Sequence, residues 1–195
     1  MKRLALIFSF FICMVTVCSA SHRSSFNSPH QTTVLSPASL SSWELSGALA
    51  ARNKKRGWTA VLNWLQQGPN QYQIRLMGPL GGGSVIVEQH GSLVTFRDGS
   101  KKVSSNNADE LLQKKTGVRL PVKNLYYWIR GLPALGAIQS VHRDAHHYLT
   151  SFSQAGYTIS YTAYTSESGI NLPSKIQLQG HGVLIKLVIK HWNIS

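Results

Sequence analysis

The chain has 195 residues, of which 43% are hydrophobic, and a formal charge of +13 at pH 7. This length allows one domain with an apolar core. The excess of 20 basic over 7 acidic side chains predicts an anionic partner, which can be nucleic acid, an anionic lipid or an acidic protein, unless it serves solubility alone. Both cysteines lie before residue 20, so thiol catalysis by the rest of the chain is excluded.

The first residues have the features of a secretory signal. Met1-Lys2-Arg3 is a short basic start, and the apolar run 4–17 is shorter than the roughly 20 residues that a membrane-spanning helix needs. We therefore expect residues 1–17 to be a signal peptide and the protein to be exported, which argues against nucleic acid as the anionic partner. No later stretch of the sequence is long and apolar enough to cross a bilayer.

The signal ends in the sequence VTVCS, which resembles a lipobox, the motif in which cleavage leaves an amino-terminal cysteine that is then acylated. This predicts lipidation at Cys18, although Val17 replaces the small residue usual before the cysteine. The alternative is cleavage after Ala20, which would give a soluble protein without a cysteine. Residues 18–41 are rich in Ser, Thr and Pro and are expected to form a lipidated tether to a domain over 42–195.

Apolar and polar residues alternate from Trp43 onward, which predicts strands. In the second strand, for example, one face carries Trp58, Ala60, Leu62 and Trp64. The connections are short and include an Asp-Gly turn at 98–99, so the strands are expected to form an antiparallel meander. In chain order, the predicted strands are WELSGALAA, WTAVLNWLQQ, YQIRLM, SVIVE and SLVTFRDGS.

Two helices are predicted next, because the apolar period lengthens to three and four residues. The first covers 105–117, with Asn107 as the N-cap, acidic residues in the first turn, lysines in the last turn and Gly117 as its stop. The second covers 120–133, with Pro121 near its first turn and with Gly131 and Pro133 at its end. Its apolar stripe consists of Leu125, Trp128, Ile129 and Leu132.

Strands return after the helices, in HYLTSFSQ, YTISYTAY, KIQLQG and GVLIKLVIKHW. Residues 166–175 are expected to be a turn-rich connection between two of these strands. Alternation places Tyr157, Ile159 and Tyr161 on one face of their strand, and in the last strand it separates apolar side chains from two lysines. Strands, two helices and strands again predict an α+β fold with one large antiparallel sheet.

A sheet of about ten strands tends to curl, and its apolar concave face then needs a cover. Only two or three short helices are available, so space can remain between them and the sheet. We expect this space to be an apolar cavity lined by aromatic residues such as Trp64, Trp128 and Tyr157. The alternative is a fully packed core, in which the same side chains only fill the interior.

No catalytic site is predicted. A G-x-S-x-G nucleophile motif is absent, and the seven carboxylates have no spacing that suggests an acid–base pair. His142 and His146 are four residues apart, which suits a zinc site only on a helix. The surrounding sequence SVHRDAHHYLT, which also contains His147, indicates instead a hairpin with a solvated turn. We therefore expect neither an enzyme nor a metal or cofactor site.

Five motifs cover most of the chain: GWTAVLNWLQQG, YQIRLMGPLGGG, ADELLQKKTG, LPVKNLYYWIRGLP and IKLVIKHW. Over residues 43–192 the chain resembles the LolB family, the outer-membrane lipoprotein receptors of Gram-negative bacteria. The resemblance implies an incomplete, or half, antiparallel β-barrel with helices covering a hydrophobic cavity. Strand parity and the helical stripe assign the lining of an acyl-chain cavity to Trp64, Ile74, Leu76, Leu125, Trp128, Ile129 and Tyr157.

The resemblance also implies a function. Family members accept acylated proteins from the periplasmic carrier LolA and release them into the inner leaflet of the outer membrane. This chain would then be a monomer anchored by Cys18 on the periplasmic face of that membrane. Its positive surface would dock an acidic carrier of the LolA type, and Leu80 in the loop Pro79-Leu80-Gly81 would enter the lipid.

Two alternatives to this function stay open. One is a soluble periplasmic carrier of lipid or lipoprotein that has the same fold and is cleaved after Ala20. The other is a peripheral module that coats anionic lipid and has no cavity.

Overall fold

One sheet of eleven antiparallel strands dominates the computed structural model, which describes residues 36–78, 83–116 and 121–194. The strands of the first half are β1 Ser42–Asn53, β2 Gly57–Gln67, β3 Gln71–Met77, β4 Ser84–His90, β5 Leu93–Asp98 and β6 Lys101–Ser105. Those of the second half are β7 Gln139–Arg143, β8 Leu149–Gln154, β9 Tyr157–Glu167, β10 Ile170–Gly180 and β11 Val183–Ile194. Among the described residues, no helix is long and apolar enough to span a bilayer.

The strand order across the sheet is β6-β5-β4-β3-β2-β1-β11-β10-β9-β8-β7. Each half of the sequence forms a meander, and the pairing of β1 with β11 joins the two meanders at the centre of the sheet. β6 and β7 are the two outer strands, and within the described chain they do not pair with each other. The sheet is therefore open, which is consistent with an incomplete barrel.

The antiparallel order divides the connections between the two ends of the sheet. The β1–β2, β5–β6, β8–β9 and β10–β11 turns lie at one end, together with the residues that flank the β3–β4 connection. We call this the β1–β2 end. Residues 36–41, which include the short 3-10 helix Pro37–Ser39, lead into β1 from the opposite end.

Two α-helices, α1 (Ala108–Thr116) and α2 (Val122–Trp128), lie between β6 and β7 in the sequence. The predicted cap of the first helix is confirmed, because the Glu110 N–H donates a hydrogen bond to Oδ1 of Asn107 at 3.1 Å. Acidic residues occupy the first turn of α1 and lysines its last turn, as expected from the direction of the helix dipole.

The second helix is shorter than its predicted span of 120–133. It ends at Trp128, and Gly131 follows with a φ of 78°, a left-handed conformation that favours glycine and ends the helix. The predicted apolar stripe extends beyond Trp128 because Ile129, in the turn that follows the helix, is also buried. Of the predicted stripe, Leu125, Trp128 and Ile129 are buried, and Leu132 is only partly buried. The sequence pattern therefore correctly identified three of the four residues as buried and overestimated the length of the helix.

The prediction of a turn-rich connection over 166–175 was wrong. Glu167 pairs with Ile170, so only Ser168 and Gly169 form the turn between β9 and β10. Both turn residues have positive φ, as a tight hairpin turn requires. Pro173 lies within β10 beside a shift in the β9–β10 register, which is where a sheet tolerates proline.

The predicted faces of β9 and β11 are confirmed. On β9 the side chains of Tyr157, Ile159 and Tyr161 are buried, and on β11 Lys186 and Lys190 are exposed. The buried side chains of β11 are Val183, Ile185, Leu187, Ile189 and Trp192. One face of the sheet thus packs against the helices and carries the apolar core, while the other face meets water.

Candidate functional site

An apolar cavity of about 30 Å³ lies between the buried face of the sheet and the two helices. Leu112 of α1 and Val122 and Leu125 of α2 form one side of it. The sheet forms the other side with Leu49, Leu62, Trp64, Ile74, Leu76, Val87, Leu178, Ile185 and Leu187. A cavity of this size holds about one or two water-sized groups, and cavities with such apolar walls stay dry.

The structure brings together four of the seven predicted lining residues. Trp64, Ile74, Leu76 and Leu125 lie on the wall of the cavity. The other three, Trp128, Ile129 and Tyr157, are buried in the core beside it and do not line it. Strand parity predicts which face of a sheet a residue occupies, but it does not predict how far along that face an opening lies.

The remaining lining residues were not predicted to line the cavity, although the sequence pattern carried a signal for several of them. Leu62 alternates with Trp64 on β2, and Ile185 and Leu187 alternate on β11, so each belonged to the predicted apolar face. Leu112 is buried on the face of α1 that meets the sheet. The missing information was which strands come together across the sheet, since β11 is far from β1 in the sequence.

Trp64 contributes apolar surface to the cavity without leaving its own polar atom unpaired. Its indole N–H donates a hydrogen bond to Oε1 of Gln66 at 2.8 Å, and the buried Gln66 side chain donates in turn to the Gly68 carbonyl. Its ring packs against Trp43, with the ring centroids 5.2 Å apart. With the N–H bonded in this way, the wall suits a hydrocarbon ligand better than a polar one.

The carboxyl-terminal end of α2 is held firmly on the second half of the sheet. The indole N–H of Trp128 donates to Oε1 of Gln154 at 2.8 Å, and the Tyr161 hydroxyl donates to the Trp128 carbonyl at 2.7 Å. The Gln154 side chain also bonds both the N–H and the carbonyl of Ala134. Burial raises the pKa of Tyr161 well above its usual range, so this hydroxyl stays a donor.

Arg130 ties this same end of α2 to the residues that precede β1. Its side chain is only 2% exposed, and it donates hydrogen bonds to the carbonyls of Tyr126 at 3.0 Å, Pro37 at 3.1 Å and Leu40. The guanidinium carbon lies 4.1 Å from the centre of the Tyr126 ring, within cation–π distance. Burial lowers the pKa of Arg130, and backbone carbonyls hold the charge where no described carboxylate pairs with it.

Among the described residues, fewer polar contacts hold the amino-terminal end of α2. Its N-cap residue, Pro121, makes no side-chain capping bond. The Val122 N–H donates to Oδ1 of Asp109 at 3.2 Å, which links α2 to α1. Beyond this bond, Val122 and Leu125 hold the start of the helix by apolar contact with the cavity wall. The half of α2 that lies over the cavity is therefore the less firmly held half.

The described residues offer no candidate metal site. His142 lies on β7 and His146 and His147 in the following turn, all exposed, as the predicted hairpin requires. Within the described chain, no group of three His, Cys, Asp or Glu residues could hold a metal ion. The one ion pair there joins Arg97 to Glu88, and the hydrogen bond from Arg97 lowers the pKa of that carboxyl while partial burial opposes the shift.

Two predicted sites fall outside the described residues. They are the lipidation site Cys18 and the loop Pro79, Leu80 and Gly81. The described flanks of the loop meet at the β1–β2 end, where the Gly78 N–H donates to the Gly83 carbonyl at 3.1 Å.

The open antiparallel sheet with helices against one face is similar to the fold of two solved structures. The solved structure of a LolA superfamily protein from Nitrosomonas europaea aligns with a TM-score of 0.50 and 9% identity, covering 80% of this chain and 87% of that one. A DUF1329 family protein from Desulfovibrio piger aligns with a TM-score of 0.54 and 4% identity, covering 82% and 88%. At these identities the likeness shows the fold alone.

Sequence comparison identifies the family within this fold. Residues 41–192 match the family described as "Outer membrane lipoprotein LolB". The outer-membrane lipoprotein LolB of Coxiella burnetii (strain RSA 493 / Nine Mile phase I) is 34% identical over 154 residues, which cover 78% of this chain and 72% of that protein. The protein of the same name from Stutzerimonas stutzeri is 34% identical over 156 residues, which cover 80% and 75%. The chain belongs to the LolB family.

Membership of this family gives the class of function. The protein is a lipid-anchored outer-membrane lipoprotein with a receptor role in lipoprotein localisation. The family receives lipoproteins from LolA and is not a family of enzymes.

Proposed function

We propose that the apolar cavity shelters the acyl chains of lipoproteins that this protein accepts from an acidic carrier of the LolA type and inserts into the inner leaflet of the outer membrane. The observation that supports this proposal is the wall of the cavity, in which every lining side chain is apolar. An acyl chain of about 16 carbons costs on the order of 12 kcal/mol to expose to water, at about 0.8 kcal/mol per methylene. Such a chain has to move between proteins inside a cavity of this kind.

A cavity of about 30 Å³ is much smaller than an acyl chain, so the chain can enter only if one wall moves. Within the described part of the chain, the start of α2 is the wall with the fewest polar contacts. Leu112, Val122 and Leu125 are the helical side chains that would separate from the sheet. Exposing three such side chains costs about 5–9 kcal/mol in total. Burial of the acyl chain gains more than this cost, so cargo can hold the cavity open.

The lining of the occupied cavity then follows from the residues already on its wall. Trp64, Ile74, Leu76 and Leu125 contact the acyl chain directly. Trp128, Ile129 and Tyr157 lie next to them in the core, and they join the lining when the start of α2 moves away from the sheet.

Anchoring and delivery use the two sites outside the described residues. Acylation of Cys18 holds the protein at the membrane. Residues 18–41 connect it to β1, and Arg130 holds the last part of this segment, residues 36–41, against the body. Leu80, between Pro79 and Gly81, enters the lipid while cargo leaves the cavity. The excess of basic over acidic side chains attracts the acidic carrier and speeds its docking, an effect that salt screens. The protein acts as a monomer and catalyses no reaction.

Uptake of a fluorescent fatty acid by the purified protein tests the cavity. Leu125→Trp places a larger side chain in the cavity wall and should weaken uptake, whereas Leu65→Trp changes an exposed leucine on the outer face and should not. Absence of uptake by the unaltered protein would contradict the proposal, as would equal uptake by both variants. Mass spectrometry of the mature amino terminus tests the anchor, since a diacylglyceryl cysteine is expected and a free Ser21 would indicate a soluble carrier.

A further inference from the structure

The charged residues are unevenly divided between the two ends of the sheet. Four basic residues, Arg52, Lys54, Lys55 and Arg56, lie in and beside the β1–β2 turn, and Lys101 and the last turn of α1 add further cations at the same end. All seven carboxylates of the chain lie within the described residues, and only Asp98 is at this end. The other six are Glu44, Glu88, Asp109, Glu110, Asp144 and Glu167, which lie nearer the opposite end. The β1–β2 end is therefore strongly positive.

The β1–β2 turn is ordered by its own side chain and its cations are exposed. Oδ1 of Asn53 accepts hydrogen bonds from the N–H groups of Lys55 at 2.9 Å and Arg56 at 3.0 Å. Arg52, Lys54, Lys55 and Arg56 are all exposed to solvent. The one ion pair of the described chain is Arg97–Glu88, so none of these cations forms an ion pair with a described carboxylate. Their charge is available to an external anion.

Trp58 stands between two grooves at this end of the sheet. One groove, of about 370 Å³, is lined by Arg56, Lys115 and Asp98 among others, and the second, of about 480 Å³, by Arg52 and Lys186. The Trp58 side chain is only partly buried and lines both grooves. An indole beside exposed cations is the combination that proteins place at the headgroup level of a membrane.

Exposed apolar side chains reach the same end from the other half of the sheet. Leu135 is 89% exposed and Ile138 is 42% exposed. Leu135 follows Ala134, whose backbone is bonded to the side chain of Gln154, the last residue of β8, and this fixes its position at the β1–β2 end. Cations together with projecting apolar side chains are the combination that binds an anionic lipid surface, where the cations meet the headgroups and the apolar side chains enter beneath them.

We propose that the β1–β2 end binds the phosphate groups of an anionic phospholipid surface. Arg52, Lys54, Lys55, Arg56 and Lys115 contact the phosphates, while Trp58 and Leu135 enter the boundary between the headgroups and the acyl chains. This inference rests on the proposed function, in that it supplies the membrane contact that delivery of cargo requires. It adds a binding surface among the described residues, and a class of lipid, to the membrane contact proposed for Leu80.

Vesicle binding by the mature chain, residues 18–195 with Cys18→Ala, which lacks both the apolar signal peptide and any acyl anchor, tests the proposal. The probes are phosphatidylcholine vesicles with and without one-third phosphatidylglycerol. Lys54→Glu/Lys55→Glu/Arg56→Glu should lower binding to the anionic vesicles at least about tenfold, because each basic residue near such a surface contributes a several-fold gain. The matched control, Lys123→Glu/Lys175→Glu/Lys190→Glu, makes the same change of net charge away from this end and should bind nearly as well as the unaltered chain.

Two results would overturn the proposal. The first is an equal loss of binding in the control, because net charge alone would then explain it. The second is normal vesicle binding by the β1–β2 variant. If that variant also accepts acylated cargo more slowly from a LolA-type carrier in solution, the surface docks the carrier instead. Lys54→Gln/Lys55→Gln/Arg56→Gln should show a smaller loss in the same direction, and circular dichroism checks that every variant is folded.

Fatty-acid uptake by the same proteins separates this inference from the proposed function. The β1–β2 variant should lose vesicle binding and keep normal uptake, since none of its changed residues lines the apolar cavity. An unaltered protein that binds anionic vesicles but takes up no fatty acid would contradict the proposed cavity and support the membrane contact.

Discussion

Replacement of Arg130 by methionine should destabilise the protein more than most substitutions of one buried side chain, because three hydrogen bonds are lost together. Arg130→Met keeps a long apolar side chain but removes the donors to the carbonyls of Pro37, Leu40 and Tyr126. Each buried carbonyl left without a donor costs about 1–3 kcal/mol, and the lost cation–π contact with Tyr126 costs about 0.5–2 kcal/mol. Part of this cost is offset, because a buried guanidinium no longer has to be desolvated. We expect a net loss of about 2–4 kcal/mol in the free energy of unfolding.

Urea unfolding followed by tryptophan fluorescence measures this loss, because Trp43, Trp64, Trp128 and Trp192 are buried in the folded protein. The control is Arg143→Met, which removes one exposed hydrogen bond to the His147 carbonyl and should change stability by less than about 0.5 kcal/mol. If the two variants were equally stable, the conclusion that Arg130 holds the end of α2 to the residues before β1 would be refuted.

Two further substitutions test other parts of the structure. Leu80→Glu should leave folding and cargo acceptance intact and stop delivery of lipoprotein into liposomes. The control Leu93→Glu changes an exposed leucine at the opposite end of the sheet and should deliver normally. A normal delivery rate for Leu80→Glu would contradict the insertion role. The Arg97 hydrogen bond lowers the pKa of Glu88 in the folded protein, so the ion pair stabilises the fold above the ordinary glutamate pKa of 4.5 and this stabilisation is lost as the pH falls. Glu88→Gln should therefore lose less stability on acidification than the unaltered protein, and identical pH dependence in urea unfolding would show that the ion pair contributes nothing.

The local parts of the fold were predictable because their signals are local. Asn107, the acidic first turn and the terminal lysines define α1 within a few residues of sequence, and alternation alone fixed the faces of β9 and β11. The segment around Pro173 misled the prediction, because proline usually marks a connection and here sits in a strand at a register shift. Pairing with β9 outweighed the local preference.

The candidate site was only partly predictable for a different reason. Trp64 and Leu125 could be assigned to the apolar interior from period alone, but the cavity between them exists because β1 pairs with β11 and brings distant strands together. The roles of Arg130 and Gln154 were also hidden, since a buried polar residue in an apolar stretch shows its partners only in three dimensions. Trp128 was predicted to line the cavity, but its hydrogen bond to Gln154 holds the indole in the core next to the cavity.

Residues 36–41 enter β1 at the end of the sheet opposite the β1–β2 turn, so an acylated Cys18 would attach the body to the membrane through that end. The 12 residues of β1 extend about 40 Å, whereas residues 18–35 can extend about 60 Å at most. The attachment is therefore long enough for the body to turn over, so that the end far from the attachment point can rest on the very bilayer that holds the lipid. The same length lets that end point away from the bilayer, toward the aqueous space from which a carrier arrives.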